Sequence, residues 1–302
     1  MAIKVLFYFF PEEAPLLYKK YYSSASIIFD NQLYNFAITF CCLFIQSIWF
    51  NRTVEKTKIF ESKNMGAGMV YMTVSSIFVE FNYFDLPILV NFGLLFLLDQ
   101  LLLIQHREAV LSRFYNAGFV VGLLGLAHPD FFILIPLILV CLLAIKPILI
   151  RELLLYVLGF LTPYYFLLGV GYLFDSIPNI NIKGHFTQFR LAGIDLTQPR
   201  LIVLGAITLA LLFYGFIQNK QLSRFTSVKI KRTMDWILIF SIGLAIITAF
   251  SDGKDYSIFN YIVIPVSFYL SLFFFRIKKN SLAEFVHFVF LACIIVFQMS
   301  IV

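Results

Sequence analysis

Charge is scarce in this chain. Only 13% of its 302 residues are Asp, Glu, Lys or Arg, where a soluble domain carries about a quarter. The chain is 61% hydrophobic with a mean hydropathy of +0.88. That is more apolar surface than a soluble fold buries, so the surplus must face lipid. Cysteine is scarce too. Cys41, Cys42, Cys141 and Cys293 all fall inside apolar segments, which excludes a disulfide framework across extracellular loops. The four histidines are scattered, which excludes a histidine-rich di-iron site, and no His/Cys spacing suits a metal. No phosphate-binding glycine loop, serine-nucleophile motif or internal repeat occurs. No metal site and no organic cofactor is expected.

What is present is a succession of apolar segments. A membrane-spanning helix needs about 20 mainly apolar residues. Segments of that character run near 33–50, 66–80, 87–105, 114–127, 131–145, 153–173, 200–217, 236–250, 258–275 and 282–301. The expected fold is all-α: a polytopic transmembrane helix bundle of about ten spans, forming one integral membrane domain over residues 1–302. Only His128-Pro129-Asp130 separates two of the segments. Proline lacks an amide donor and disfavours helix at the residue before it, and a tight hairpin there keeps the charge pattern intact.

That pattern is an alternation. Sixteen of the 23 Lys and Arg lie in every second gap: Arg52, Lys56, Lys58 and Lys63; Arg107 and Arg113; Lys146 and Arg151; Lys220, Arg224, Lys229, Lys231 and Arg232; Arg276, Lys278 and Lys279. The intervening gaps hold only Lys183, Arg190, Arg200 and Lys254. Cytoplasmic loops carry the excess of basic residues, so 218–235 is a cytoplasmic loop, 174–199 an outer loop, and the C-terminus is expected outside. Basic residues dispersed in this way exclude a nucleic-acid partner despite the pI near 9.0. Membrane lipid is the expected partner. The first full span must then start outside. Residues 1–32 form a short apolar segment and an outer loop, and residues 1–10 read as a truncated first span, an interfacial segment or a misassigned start.

The outer gaps collect carboxylates: Glu12, Glu13, Glu80, Asp85, Asp130, Asp175, Asp195, Asp252 and Asp255. Glu80 and Asp85 flank a stretch containing Phe81, Tyr83 and Phe84. A carboxyl group in such a partly apolar setting suits proton transfer. The outer loop adds Lys183, His185 and Arg190, with Arg200 at the next helix start. Basic side chains there run against the insertion bias, and they are the candidates for holding a phosphate or another anion. Three ionisable groups lie within spans: Asp99, and Glu284 with His287 on one helix face. Gly118, Gly122 and Gly125 give a small-residue stripe suited to close helix contact.

Two runs, GMVYMTVSSIFVEFNYFDLPILVNFGLL and FYNAGFVVGLLGLAHPDFFILIPLILVCLLAIKPILIRELLLYVLGFLTPYYFL, resemble an uncharacterised family of polytopic bacterial inner-membrane proteins. The stretch AGFVVGLLGLAHPDFFILIPLILVCLLAI, followed by a basic gap and a long span, is more distantly similar to GT-C-type membrane glycosyltransferases. That second resemblance implies a polyprenyl-phosphate-linked sugar donor at the outer face, with a divalent cation compatible with the acids. It implies an acid in an outer loop as base: Glu12 or Glu13, with Glu80 or Asp85 in the next loop. The alternatives are a non-catalytic subunit of an envelope or secretion assembly, partnered by other membrane proteins, and a transporter or flippase.

Overall fold

A computed structural model of the chain describes residues 32–59, 66–77, 84–105, 110–173, 228–250 and 256–275, with positions 206, 210, 213, 217, 284, 285, 287–292 and 294. Every element among the described residues is helical: α1 (Gln32–Lys56), α2 (Gly66–Val74), α3 (Leu86–Gln105), α4 (Val110–Ala127), a 3-10 turn (Pro129–Ile133), α5 (Leu134–Ile145), α6 (Ile150–Leu173), α7 (Val228–Phe250), a second 3-10 segment (Tyr256–Ile262) and α8 (Val263–Phe275). Five helices are long and apolar enough to cross a membrane: Ala37–Lys56 within α1, α3, α4, α6, and Val228–Ala249 within α7. Asp130–Ile145 and Phe259–Phe275 are shorter apolar helices. Within the expected span 66–80, the described helix covers only Gly66–Val74. It stops at Val74, where the Ser75 and Ser76 hydroxyls both donate to the Met72 carbonyl and turn the chain out of the helix. Span 200–217 and most of 282–301 lie outside the described residues.

The chain divides into two compact units. The first comprises residues 1–91 and 259–302, the second 92–258. In the first unit, α1 and α2 approach closely at Gly68. A Cβ there would sit 3.0 Å from the Ser47 carbonyl oxygen, and the Gly68 amide donates to Asn51 Oδ1 at 3.2 Å. Helix α1 ends on Lys56, a cation at the negative end of the dipole. Lys58 follows in the left-handed region at φ 55°, and its amide closes the end on the Glu55 carbonyl at 3.1 Å.

In the second unit the glycine stripe meets α6. A Cβ on Gly118 would lie 2.0 Å from the Tyr156 carbonyl oxygen, one on Gly122 2.5 Å from that of Phe160, and one on Gly159 2.2 Å from that of Tyr115. The two backbones touch, which only glycine permits. The chain reverses at His128-Pro129-Asp130, as the hairpin reading expects. Lys146, just past α5, lies with Nζ 5.4 Å from the Phe114 ring centre near the start of α4, and Tyr156 donates to the Ile135 carbonyl at 3.2 Å, tying α6 to the hairpin. On its other side α6 exposes Leu154, Leu158, Leu161, Tyr165 and Tyr172, a stripe at helical spacing suited to lipid.

Described contacts join helix ends that the charge alternation assigns to one side. Asn35 Oδ1 accepts the Phe84 amide at 2.9 Å, and Gly66 lies against the Phe275 ring. Gln105 Nε2 donates to the Lys229 carbonyl at 2.7 Å.

Gly118→Ala is expected to destabilise the chain by about 1–3 kcal/mol or more, because the methyl meets backbone that cannot move aside. Gly169→Ala, with nothing within 4 Å of its Cβ position, is expected to be neutral. Thermal unfolding of the two purified variants in detergent separates them.

Candidate functional site

Asp85 is half-buried at the start of α3. Its Oδ1 accepts the Leu86 amide at 2.7 Å and its carbonyl accepts the Ile88 amide at 3.0 Å. It therefore caps α3, a local task that needs no substrate. Asp99 is half-buried on α3 and engaged in an interaction of its own. Glu284 and His287 have different surroundings. Glu284 is exposed, whereas His287 Nε2 lies 3.0 Å from Thr73 Oγ1, with its ring edge-on to Phe274. Glu12, Glu13, Glu80, Lys183, His185, Arg190 and Arg200 lie outside the described residues. No group of three or more His, Cys, Asp or Glu is placed to hold a metal ion among the described residues.

The first unit contains a neutral polar core. Gln46 sits midway along the span Ala37–Lys56 and is fully buried. Its Nε2 donates to the Ile88 carbonyl at 2.6 Å, and its Oε1 accepts the Tyr71 hydroxyl at 2.9 Å. Asn91, equally buried, donates from Nδ2 to the carbonyl and Oδ1 of Asn260 at 3.1 and 3.2 Å. These bonds link α1, α2, α3 and the irregular segment before α8. With no water in a bilayer core, such groups are matched to one another. The sequence gives only a faint sign of them. An uncharged amide barely lowers the hydropathy of a span, and a search for ionisable groups passes over it.

The second unit presents two chemically different ends. At the turn between α4 and α5, His128 Nδ1 lies 3.2 Å from Asp130 Oδ2, with side chains 33% and 20% exposed. The two atoms are close, but the contact is not aligned as a hydrogen bond. Phe132, Phe160 and Tyr164 form an aromatic wall beside this turn. Phe132 stacks on Tyr164 at 6.3 Å, Phe160 tilts against Tyr164 at 5.2 Å, and Phe132 meets Phe160 edge-on at 6.2 Å. The Tyr164 hydroxyl lies over Gly125, 2.8 Å from the place a Cβ would take, and is buried without a hydrogen-bond partner. Proline fixes the turn that brings His128 and Asp130 together. Gly125 leaves the room into which Tyr164 reaches.

At the opposite end, Gln105 joins α3 to α7. It donates to the Lys229 carbonyl and to Thr233 Oγ1 at 2.8 Å, and its Oε1 accepts Trp236 Nε1 at 2.9 Å. Lys146 pairs with Glu152, whose second oxygen accepts the Leu149 amide at 3.2 Å. Glu152 thereby caps α6 while neutralising the lysine.

A protein-family model described as a family of unknown function (DUF6427) matches residues 20–302. No curated protein and no solved structure matches the chain.

Removing Gln46 as Gln46→Leu strands the buried Tyr71 hydroxyl and takes a second donor from the Ile88 carbonyl. It is expected to lower stability by about 1–2 kcal/mol. Tyr71→Phe is expected to cost less. The double variant should cost less than the two singles together, because they share one bond. Detergent unfolding of the three variants is the check, and strict additivity would show that the bond contributes nothing.

Proposed function

The chain belongs to the DUF6427 family of unknown function, and we propose from its site that it is a multi-pass protein of the bacterial inner membrane acting on a polyprenyl-phosphate-linked sugar at the outer face. The observation that carries this reading is the turn after α4, where a histidine and a carboxylate stand together beside an aromatic wall and a buried tyrosine hydroxyl. A histidine oriented by a carboxylate can take the proton of an acceptor hydroxyl as the glycosidic bond forms. Flat aromatic faces suit the apolar faces of a sugar ring, and the Tyr164 hydroxyl is a donor in want of an oxygen. The anionic leaving group is the polyprenyl phosphate. Lys183, His185, Arg190 and Arg200 are the residues whose charge would stabilise it.

In this reading the base is His128 with Asp130, ahead of Asp85, whose oxygen is taken by the α3 amide. Glu12, Glu13 and Glu80 stay in the proposal as further acids of the same face, where a divalent cation would also sit. About ten spans and an outer C-terminus belong to the same proposal, since they place the α4–α5 turn outside. One observation favours a second reading, a non-catalytic subunit of an envelope or secretion assembly. Asp85, the described one of the four acids that the resemblance implies as base, already accepts an amide of its own helix.

In cells carrying His128→Ala or Asp130→Asn, the glycan that depends on this chain is expected to fall at least tenfold while membrane levels of the protein hold. The readout is mass spectrometry of lipid-linked sugars. Unchanged glycans in both variants, together with a membrane protein recovered with the wild-type chain, would return the subunit reading.

A further inference from the structure

Arg113 stands in the first turn of α4, at the end of the second unit that also holds Gln105 and Lys146. Charge alternation accounts for its presence in a basic gap, but not for its setting. The side chain is half-buried. One terminal nitrogen donates to Gln100 Oε1 at 3.1 Å, and Gln100 is itself 1% exposed. The Nε–H is buried with no partner. Among the described residues no carboxylate approaches Arg113 within ion-pair distance. The neighbouring cation differs in this respect, since Lys146 has Glu152.

A guanidinium keeps its charge wherever it is placed and offers five donors in a planar fork. Here one of them meets a neutral amide oxygen. Among the described residues nothing balances the charge, and the buried Nε is unmet. Partial burial of a cation is costly, and an anion beside the half-exposed guanidinium would offset that cost. A phosphate oxyanion fits the fork with two parallel bonds. Leu111 is exposed two residues away, at the end of a helix long enough to cross a bilayer. A ligand here must therefore tolerate apolar surface beside its charge. Basic sites between spans at the cytoplasmic boundary take anionic headgroups in this way.

We infer that Arg113, positioned by Gln100, binds the phosphate of an anionic phospholipid headgroup at the α3–α4 end of the second unit. Gln100 orients one side of the guanidinium and leaves the other terminal donors for the lipid, Nε being buried. The inference does not depend on the glycosyl-transfer reading.

The test is the melting temperature of the full chain in detergent, followed by tryptophan fluorescence, with lipid or ion added back. Phosphatidylglycerol is expected to raise it by several degrees, and phosphatidylcholine and millimolar inorganic phosphate are not. Arg113→Gln should lose most of the rise, Arg113→Lys should keep less than about half of it because the fork is gone, and Lys231→Gln, at an exposed position, should keep it all. The inference is overturned if the wild-type chain shows no rise, or if both Arg113 variants keep the full rise. An equal rise with inorganic phosphate would overturn the lipid headgroup as the source. Should Arg113→Gln fail to fold, Arg113→Lys alone decides.

Discussion

The contact on which the second unit rests is backbone against backbone, where Gly118 and Gly122 of α4 meet Gly159 and the Phe160 carbonyl of α6. Between lipid-immersed helices there is no hydrophobic gain in leaving lipid for protein. Association comes from close van der Waals contact and internal hydrogen bonds. The glycines set α4 and α6 at a separation that no side chain could share. That separation carries Tyr164 over Gly125 against Phe132, and lets Tyr156 reach the Ile135 carbonyl of α5. The α4–α5 hairpin is thereby pinned to α6, and the His128–Asp130 turn is held beside the aromatic wall. A substitution at Gly118 thus acts on the site through geometry.

The same shortage of water dictates the first unit by another route. Gln46, Tyr71, Asn91 and Asn260 are neutral, fully or almost fully buried, and bonded to one another or to main-chain carbonyls, with Asn91 Oδ1 alone among their described side-chain atoms left unmet. Neutral amides avoid the cost of placing ions in a bilayer and still give directional bonds between helices. The core therefore specifies which helices pair without presenting charge to lipid. At one end of the second unit Lys146 meets Glu152 and Gln105 gathers three groups of α7.

Much of this was legible in the sequence, for physical reasons. Long apolar segments gave α1, α3, α4, α6 and α7, because crossing a bilayer fixes both length and composition. The G-x-x-x-G-x-x-G stripe gave the closest helix contact, and His128-Pro129-Asp130 gave a reversal. What was hidden was whatever depends on partners far apart in the chain. Hydropathy does not show that α2 ends at Val74, since the ending is made by two serine hydroxyls. At Asp85 the sequence shows a carboxylate in an aromatic setting, and its bond to the Leu86 amide appears only in the structure. His287 shares a helix face with Glu284 by spacing, yet its bond is to Thr73 of α2. Arg113 was explained by sidedness, whereas its unmet donors appear only once Gln100 is placed beside it.

An outer-face site requires the two ends of the second unit to face opposite sides of the membrane, with the α4–α5 turn outside. Cysteine labelling tests this most directly, in a chain whose four native cysteines are replaced by serine. Ala127→Cys, exposed at the end of α4, is predicted to react with a membrane-impermeant maleimide in intact cells. Lys231→Cys, exposed at the start of α7, is predicted to react only after permeabilisation. The reverse pattern, or equal labelling of both positions in intact cells, would contradict the outer-face site and the reading built on it.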